Sequence, residues 1–428
     1  MIARYRALAL LAPLTVACSP FHVDGPADCS MPEQNEYVYD VLEKVYLWND
    51  TLPPRDSLDF EAFEGPEAVL NELRYRELDR WSYITEKEKS DALFDDGRFV
   101  GYGFSYKRDD GKIRVSGVHD GSPADLAGLR RGDELVTINS FNIAQIDQDE
   151  MWGDIFGPDE IGVESTIEIK DADGEQFTVT IARDWIDIIT VPNVAIVDGE
   201  AGPVGYLTFG SFIGDAKDEL DDAWDAFNDA DITTLVVDLR YNGGGSVSIA
   251  EHLIDLIAGA HTHGDGVAYR VEYNDDLSDE DEDHGMSNPG RSIDLDHVTF
   301  ITTGRSLSAS ELVINAVRAH MPISVVGDTT GGKPVGMKRY TFCDQVLFPI
   351  TFRVLNADGE GDYYDGIEPD CFVEDDLDHE LGDPAESSLA AALSIMQTGA
   401  CPTEADASSD QDGAMFDDDP LVKFLRAR

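Results

Sequence analysis

The chain has 428 residues, which is too long for one ordinary core and predicts two or three domains. Its 31 basic and 86 acidic residues give a formal net charge of −55 at pH 7. Because such a charge repels phosphates, it argues against nucleic acid as a partner, and solubility in a salty external medium explains it best. Hydrophobic residues make up 42% of the chain, enough to build folded cores.

The first 17 residues are typical of a secretory signal peptide. Arg4 and Arg6 precede an apolar stretch over residues 7–17 that is too short to span a bilayer. Small residues lead into Cys18 as in a bacterial lipobox, but Thr15 stands where leucine is usual. Lipidation of Cys18 therefore competes with plain cleavage near residue 17. We expect an exported protein, periplasmic or an outer-membrane lipoprotein, that meets a membrane only through an anchor at Cys18.

Export would place the remaining cysteines in an oxidising compartment, where disulfides form. Cys29, Cys343, Cys371 and Cys401 are even in number and allow three pairings. The pair Cys343 with Cys371 is favoured because both lie in one C-terminal subregion, and this leaves Cys29 with Cys401. A metal site is less favoured, since the sequence contains no Cys-x-x-Cys.

After a linker over residues 18–33, residues 34–97 are predicted to form a small N-terminal helical domain or lid. The segments EYVYDVLEKVYLWND and GPEAVLNELRYRELDRW both carry apolar residues at helical spacing.

Residues 98–185 alternate short β-rich runs with turns around one short helix, SPADLAGL. Gly101, Tyr102, Gly103 and Phe104 form a Gly-x-Gly-Phe motif, and DGSPADLAGLRRGDELVTIN follows it. Together these two blocks resemble a PDZ domain. The resemblance implies that loop amides hold the terminal carboxylate of a peptide, which pairs as an extra strand with the segment after the loop.

Residues 186–400 change to a pattern in which strands alternate with helices. The strands VGYLTF, TLVVDL, VTFIT and ISVVG are separated by amphipathic helical segments, which predicts crossover units and a largely parallel sheet. Ligands bind beyond the carboxyl ends of such strands. The segment 273–285 and the tail 401–428 are acidic without apolar periodicity; solvated loops are favoured over calcium sites there.

The serines of RSLSASELVINAVRAH lie where a strand of this sheet gives way to a helix. Ser306, Ser308 or Ser310 could be an ordinary helix N-cap, with Glu311 completing a capping box from Ser308. A serine nucleophile at a helix start would also gain free N–H groups and a positive dipole, but it needs a base.

Lys333, in GDTTGGKPVG, is the candidate base. Its loop follows the strand ISVVG, which a right-handed crossover places beside the strand that leads to Ser308. Burial can lower the pKa of a lysine from about 10.4 by several units, so that it works as a base at neutral pH. The alternative is a surface lysine in a glycine-rich loop.

The run Gly243, Gly244 and Gly245 follows another buried strand, so its amides could face a developing oxyanion. A phosphate cradle is disfavoured, because no Gly-Lys-Ser/Thr ending is present.

The blocks VVDLRYNGGG, SLSASELVINAV, GDTTGGKPVG and DGIEPD occur in this order, downstream of the PDZ-like segment. Over residues 100–375 the chain therefore resembles the C-terminal processing (tail-specific) serine peptidases. The resemblance implies a multidomain α/β protein with a ClpP/crotonase-like peptidase core. It makes Ser308 the nucleophile and Lys333 the base, and it assigns the oxyanion donors to the amides of Ala309 and Gly244.

One position departs from the family pattern. Typical members carry a glutamine four residues after the lysine, where this chain has Met337. We therefore hold two hypotheses. The favoured one is a peptidase that recognises protein substrates by a free C-terminus and needs no metal or organic cofactor. The other is an envelope scaffold that binds peptides but has lost efficient catalysis.

Histidines offer a weaker rival site. The pair His261 and His263 lacks a third metal ligand in the sequence, and His320 lies about three helical turns from Ser308, too far to act as its base.

Overall fold

The computed structural model describes residues 19–109, 111–199 and 202–402. The predicted signal peptide, the lipidation candidate Cys18 and residues 403–428 of the predicted acidic tail lie outside the described residues. None of the described helices is long and apolar enough to cross a bilayer.

The N-terminal region is helical at first and then joins the C-terminal α/β region, residues 186–400, through a strand. The second predicted helix ends early, at Leu73, because the chain turns around Asp79, whose Oδ1 accepts the N–H groups of Trp81 and Ser82. The next strand pairs with a hairpin strand more than 250 residues later in the chain. The elements are α1 (Met31–Val45), α2 (Pro66–Leu73), β1 (Tyr83–Glu86), its partner β19 (Gln345–Phe348) and α3 (Lys87–Phe94), with 3-10 turns at Asn49–Thr51 and Arg55–Ser57.

The PDZ-like segment forms a separate antiparallel sheet around its own core. The strand that follows the Gly-x-Gly-Phe loop lies at the edge of this sheet, where a further strand could pair with it. The elements are β2 (Arg98–Gly101), β3 (Phe104–Asp109), β4 (Lys112–Val118), α4 (Pro123–Leu126), β5 (Glu134–Ile138), β6 (Phe141–Asn142), α5 (Ile143–Gln148), a 3-10 turn (Met151–Gly153), β7 (Glu164–Lys170), β8 (Gln176–Ala182) and β9 (Asp184–Asp187). The sheet order is β3-β4-β5-β7-β8, and β2 pairs separately with β9.

The C-terminal α/β region is built on the predicted, largely parallel sheet. Its buried apolar strands are flanked by helices whose apolar faces cover both sides of the sheet. The elements are β10 (Asn193–Gly199), β11 (Gly202–Thr208), α6 (Ala216–Asp229), β12 (Thr234–Asp238), α7 (Val247–Ala258), β15 (His297–Thr302), α8 (Ala309–Arg318), β16 (Ile323–Gly327), β21 (Cys371–Phe372) and α9 (Ser387–Thr398). The order is β10-β11-β12-β15-β16-β21, with only β10 antiparallel to its neighbour among the described strands.

A second sheet, of order β14-β13-β20-β17, was not predicted. It consists of β13 (Val267–Glu272), β14 (Glu282–Gly285), β17 (Val335–Met337) and β20 (Ile350–Asn356), while β18 (Tyr340–Phe342) pairs with β19. The prediction of a solvated loop over 273–285 is correct for exposure, since most of these residues are exposed, but wrong about the lack of secondary structure. This segment holds a 3-10 helix (Asp275–Glu280) and β14, because Leu277 is buried and Asn274 binds the carbonyl of Tyr46 at 3.0 Å.

The four cysteines form two disulfides, but the favoured pairing is wrong. Cys29 bonds Cys343 and Cys371 bonds Cys401, with Cα–Cα separations of 5.9 and 5.6 Å. Helix α1, which begins just after Cys29, packs on the hairpin that carries Cys343. Helix α9 packs on β16, next to the strand that holds Cys371, and it delivers Cys401 there. The prediction from closeness in sequence failed because the packing of α1 and α9 determines which cysteines meet.

Candidate active site

Ser308 differs from its two neighbouring serines. Ser306 and Ser310 are fully buried, and their hydroxyls donate to the carbonyls of Leu239 and Asn242 at 2.7 and 2.9 Å. Ser308 is partly exposed and has a φ of 56°, a strained value for a residue other than glycine. The fold therefore presents Ser308 at a sharp turn, while its neighbours hold that turn in place.

Lys333 is a buried lysine, so the reading as a surface lysine is wrong. Its exposure is 3%, and the loop that carries it follows β16, the neighbour of β15 in the sheet. Burial lowers the pKa of Lys333 to about 7, against the charges of Asp79 and Glu311, which favour the ammonium form. A substantial fraction of Lys333 is therefore uncharged at neutral pH.

Glu311 connects the two candidates. It is fully buried, and its Oε2 accepts the N–H of Ser308 at 2.9 Å and the N–H of Lys333 at 2.8 Å. The two backbone nitrogens can be no farther apart than those two distances together. Oε1 accepts the N–H of Gly332 and the hydroxyl of Thr330 at 2.7 and 2.5 Å.

This role of Glu311 was missed in the sequence, where it was assigned only to a capping box. Burial raises the pKa of the Glu311 carboxyl, and the four hydrogen bonds oppose that rise. The side chains of Ser308 and Lys333 share no hydrogen bond in the described part of the chain. The structure places their backbones close together and buries the Lys333 side chain.

The glycine turn lies against the serine. A Cβ on Gly244, whose φ is 104°, would come within 2.9 Å of the Ser308 Cβ and 3.0 Å of the Ala309 nitrogen, so only glycine fits there. The N–H of Gly244 donates to Asn242 Oδ1 at 2.9 Å. Within the described residues no acceptor is found for the N–H of Ala309 or Gly243. The backbones of Gly244 and Ala309 thus lie beside the serine, and the N–H of Gly244 already has a partner.

Met337 supplies no polar group to the lysine. It lies at a bulge between β17 and β20, and its side chain packs against apolar clusters that include Leu93, Leu307 and Phe348. The position that carries an orienting glutamine in the resembled family is therefore apolar here.

The histidines do not form a rival site. Nε2 of His320 is 2.8 Å from the carbonyl of Val267, and Nε2 of His297 is 3.1 Å from Ser324 Oγ. Among the residues that the structure describes, no group of three or more His, Cys, Asp or Glu side chains could hold a metal ion.

All four residues of the Gly-x-Gly-Phe loop, 101–104, are buried. The side chains of Tyr102 and Phe104 are buried in the PDZ core, and the hydroxyl of Tyr102 donates to the carbonyl of Phe156 at 3.1 Å. The carbonyls of Tyr102 and Gly103 accept from Ala124 and His119. Strand β3, which follows the loop, is paired on one side only, with β4.

An ionic network joins the PDZ sheet to the glycine turn. Arg131 contacts Asp375 at 2.9 Å and the hydroxyl of Tyr241 at 2.7 Å, and Lys107 contacts Asp375 at 2.8 Å. Arg240 contacts the same carboxylate at 3.1 Å. These cations hold the pKa of Asp375 well below its usual range, although burial opposes them. A cavity of about 510 Å³ lies between the two regions.

Three family profiles match the chain in the predicted order. The Peptidase S41 N-terminal domain matches residues 33–83, the PDZ domain residues 114–152 and Peptidase family S41 residues 203–373. The chain belongs to peptidase family S41. Ser308 and Lys333 both lie within the segment that the S41 peptidase profile covers. The family resemblance and the multidomain fold predicted from the sequence are confirmed.

Relatives and a solved structure agree with this assignment. A CtpA-like serine protease of Staphylococcus aureus is 26% identical over 342 residues, and the carboxy-terminal processing protease CtpB of Bacillus subtilis is 27% identical over 358. The matches cover 79% and 80% of this S41 chain, but only 64% and 69% of the relatives. An S41 protease structure from Bacteroides fragilis is 25% identical with a TM-score of 0.68, covering 85% of this chain and 97% of its own.

Proposed function

We propose that the chain is a serine endopeptidase in which Ser308 is the nucleophile and Lys333 the general base. The observation that carries this proposal is the shared oxygen of Glu311, which fixes the backbone of a strained, partly exposed serine beside that of a buried lysine. The membership of family S41 and the similarity to serine proteases support the same reaction class.

The reaction proceeds through an acyl-enzyme. Neutral Lys333 takes the hydroxyl proton of Ser308, and Oγ attacks the scissile carbonyl carbon. The resulting ammonium then donates its proton to the leaving amine as the C–N bond breaks. Lys333 next deprotonates a water molecule, which attacks the ester, releases the new carboxyl end and restores Ser308.

The oxyanion is held by amides of the glycine turn and of helix α8. The N–H of Ala309 is available at the first turn of α8, where the helix dipole also favours negative charge. The N–H of Gly244 would exchange Asn242 Oδ1 for the oxyanion. Of the two groups, only the N–H of Gly244 therefore has to change its partner during the attack.

Substrates are captured by their C-terminal tails on the PDZ sheet. The unpaired edge of β3 suits β-augmentation, and the loop 101–104 ends at that edge with its amides. The cavity beside Arg131 leads from this sheet to Gly243 in the peptidase region. We assign the partner as an extended protein chain with a free carboxyl end.

Cleavage of a tailed peptide by matched variants tests this proposal. Wild type is expected to cut the peptide, while Ser308→Ala and Lys333→Met are inactive and Lys338→Met, a half-buried lysine nearby, stays active. The same peptide with an amidated C-terminus should be cut more slowly. If wild type cuts no more than Ser308→Ala, the chain is instead a peptide-binding scaffold, the function that Met337 favours.

We also propose export and lipidation at Cys18, which rest on the leader sequence alone. Expressed with its leader, wild type is expected in the membrane fraction, and Cys18→Ser in the soluble exported fraction. Recovery of wild type as a soluble exported protein that starts near residue 18 would support plain cleavage instead.

A further inference from the structure

We propose that Asp79 is the positioning residue for Lys333, in the place that Met337 leaves without a polar group. The inference rests on the proposed function and deepens it, because it assigns a part of the active site to the N-terminal region. Nothing in the sequence pattern pointed to Asp79.

The turn that carries Asp79 contacts two residues that border the lysine loop, one near each end of the loop. On one side, Arg80 donates to the carbonyl of Tyr364 at 2.8 Å. That carbonyl oxygen lies 2.3 Å from where a Cβ on Gly332 would stand, directly before the lysine. This contact therefore places the turn beside the start of the lysine loop.

On the other side, Ser82 Oγ accepts the N–H of Ile350 at 2.9 Å. Ile350 is the strand partner of Met337, at the far end of the lysine loop. The residues that this turn contacts therefore lie on both sides of Lys333 in the loop, one next to Gly332 and the other next to Met337.

The carboxylate of Asp79 is buried and held rigidly. Its exposure is 2%, its Oδ2 accepts the hydroxyl of Tyr46 at 2.6 Å, and its Oδ1 accepts the amides of Trp81 and Ser82. A fixed charge in a site with little water acts strongly over several ångströms. Of the two carboxylates that raise the pKa of Lys333, Asp79 has the larger effect and Glu311 the smaller.

This charge is needed when Lys333 takes the proton of Ser308. The ammonium so formed is buried, and a buried ammonium is unstable without a nearby anion. Glu311 accepts four hydrogen bonds and Asp79 accepts three, and of the two carboxylates Asp79 has the larger effect on the pKa of Lys333. Asp79 therefore stabilises the ammonium while leaving Lys333 able to lose its proton near neutral pH.

The variant Asp79→Asn separates this role from a merely structural one. Without the charge, the acid limb of the kcat profile should move to lower pH by about one unit, and kcat should fall. Asp133→Asn, which changes an equally buried aspartate in the PDZ core, should leave the limb where it is in wild type. A folded Asp79→Asn whose limb stays at the wild-type pH would overturn the proposal.

A second measurement needs no catalysis. Thermal unfolding at a series of pH values measures how much Lys333→Met stabilises the protein, and the pH dependence of that gain reports the pKa of Lys333. In the Asp79→Asn background, this pH dependence should shift to lower pH. If wild type cuts no peptide, the proposed function fails, while this titration still decides the role of Asp79. If Asp79→Asn does not fold, Tyr46→Phe should lower kcat several-fold with little change in KM, and an unchanged kcat would count against the role.

Discussion

Glu311 shows how one buried side chain can organise a site. Its two oxygens accept four donors from the serine turn and the lysine loop, so the backbones of Ser308 and Lys333 share one support. Charge-assisted bonds of this kind are about twice as strong as neutral ones. The support costs burial of a carboxylate, which the four donors offset.

The variant Glu311→Gln should weaken both folding and activity. An amide group cannot accept from all four donors, so we expect unfolding to become easier by about 2–3 kcal/mol and kcat to drop 10-fold or more, with a smaller change in KM. Denaturant titration and peptide cleavage measure the two effects. Glu219→Gln removes a carboxylate that accepts three donors around Thr190 and should lower stability without the loss of kcat.

At the scale of residues, the sequence could predict which serine and lysine lie near each other but not their surroundings. Ser308 and Lys333 follow neighbouring parallel strands, and that topology is readable from alternating strands and helices. The charges of Asp79 and Glu311 matter through distances that only folding sets. The acceptor of the Gly244 amide, Asn242 Oδ1, is likewise a detail of the folded turn.

At the scale of elements, local patterns predicted the central sheet but not the second one. Strands β12, β15 and β16 are apolar runs that form adjacent parallel strands; α8 links β15 to β16, while α7, β13 and β14 lie between β12 and β15. Strands β13 and β20 are separated by about 80 residues in the chain, so the local pattern of neither segment indicates which strand it pairs with. The acidic run before β14 misled because a few buried residues, such as Leu277, outweigh many exposed acids.

The PDZ edge gives a prediction for the loop before β3. A Cβ on Gly103, whose φ is 85°, would lie 2.1 Å from the Ser122 Cβ, so Gly103→Ala must distort the loop. We expect weaker binding of a tailed peptide, seen as at least a 10-fold rise in KM or in Kd by fluorescence polarisation, with kcat for a short untailed peptide unchanged. The exposed Gly121→Ala is a matched control: its φ of 73° gives alanine a similar backbone cost, but nothing lies within 4 Å of its Cβ. Equal binding by Gly103→Ala would contradict the peptide site at this loop.

At the scale of the whole molecule, the disulfides connect distant regions. Cys29–Cys343 closes a loop of 314 residues and fastens the N-terminal region to the hairpin beside the lysine strand. The N-terminal region also supplies Asp79. Loss of this link should therefore loosen the part of the protein that completes the site.

We expect the double variant Cys29→Ser, Cys343→Ser to be less stable by about 2–4 kcal/mol, measured by denaturant titration. Peptide mapping without reduction should recover the pairs Cys29–Cys343 and Cys371–Cys401. Recovery of Cys343 with Cys371 would contradict the packing of α1 on the hairpin described above.

The most direct test of the account is the rate at which a fluorophosphonate labels Ser308 as a function of pH. Because the lowered pKa of Lys333 is about 7, the rate should rise with pH through about 7 and then level off. Lys333→Met should label slowly at every pH, and intact mass with peptide mapping should place a single adduct on Ser308. A rate that does not depend on Lys333, or an adduct on another residue, would contradict the serine–lysine mechanism.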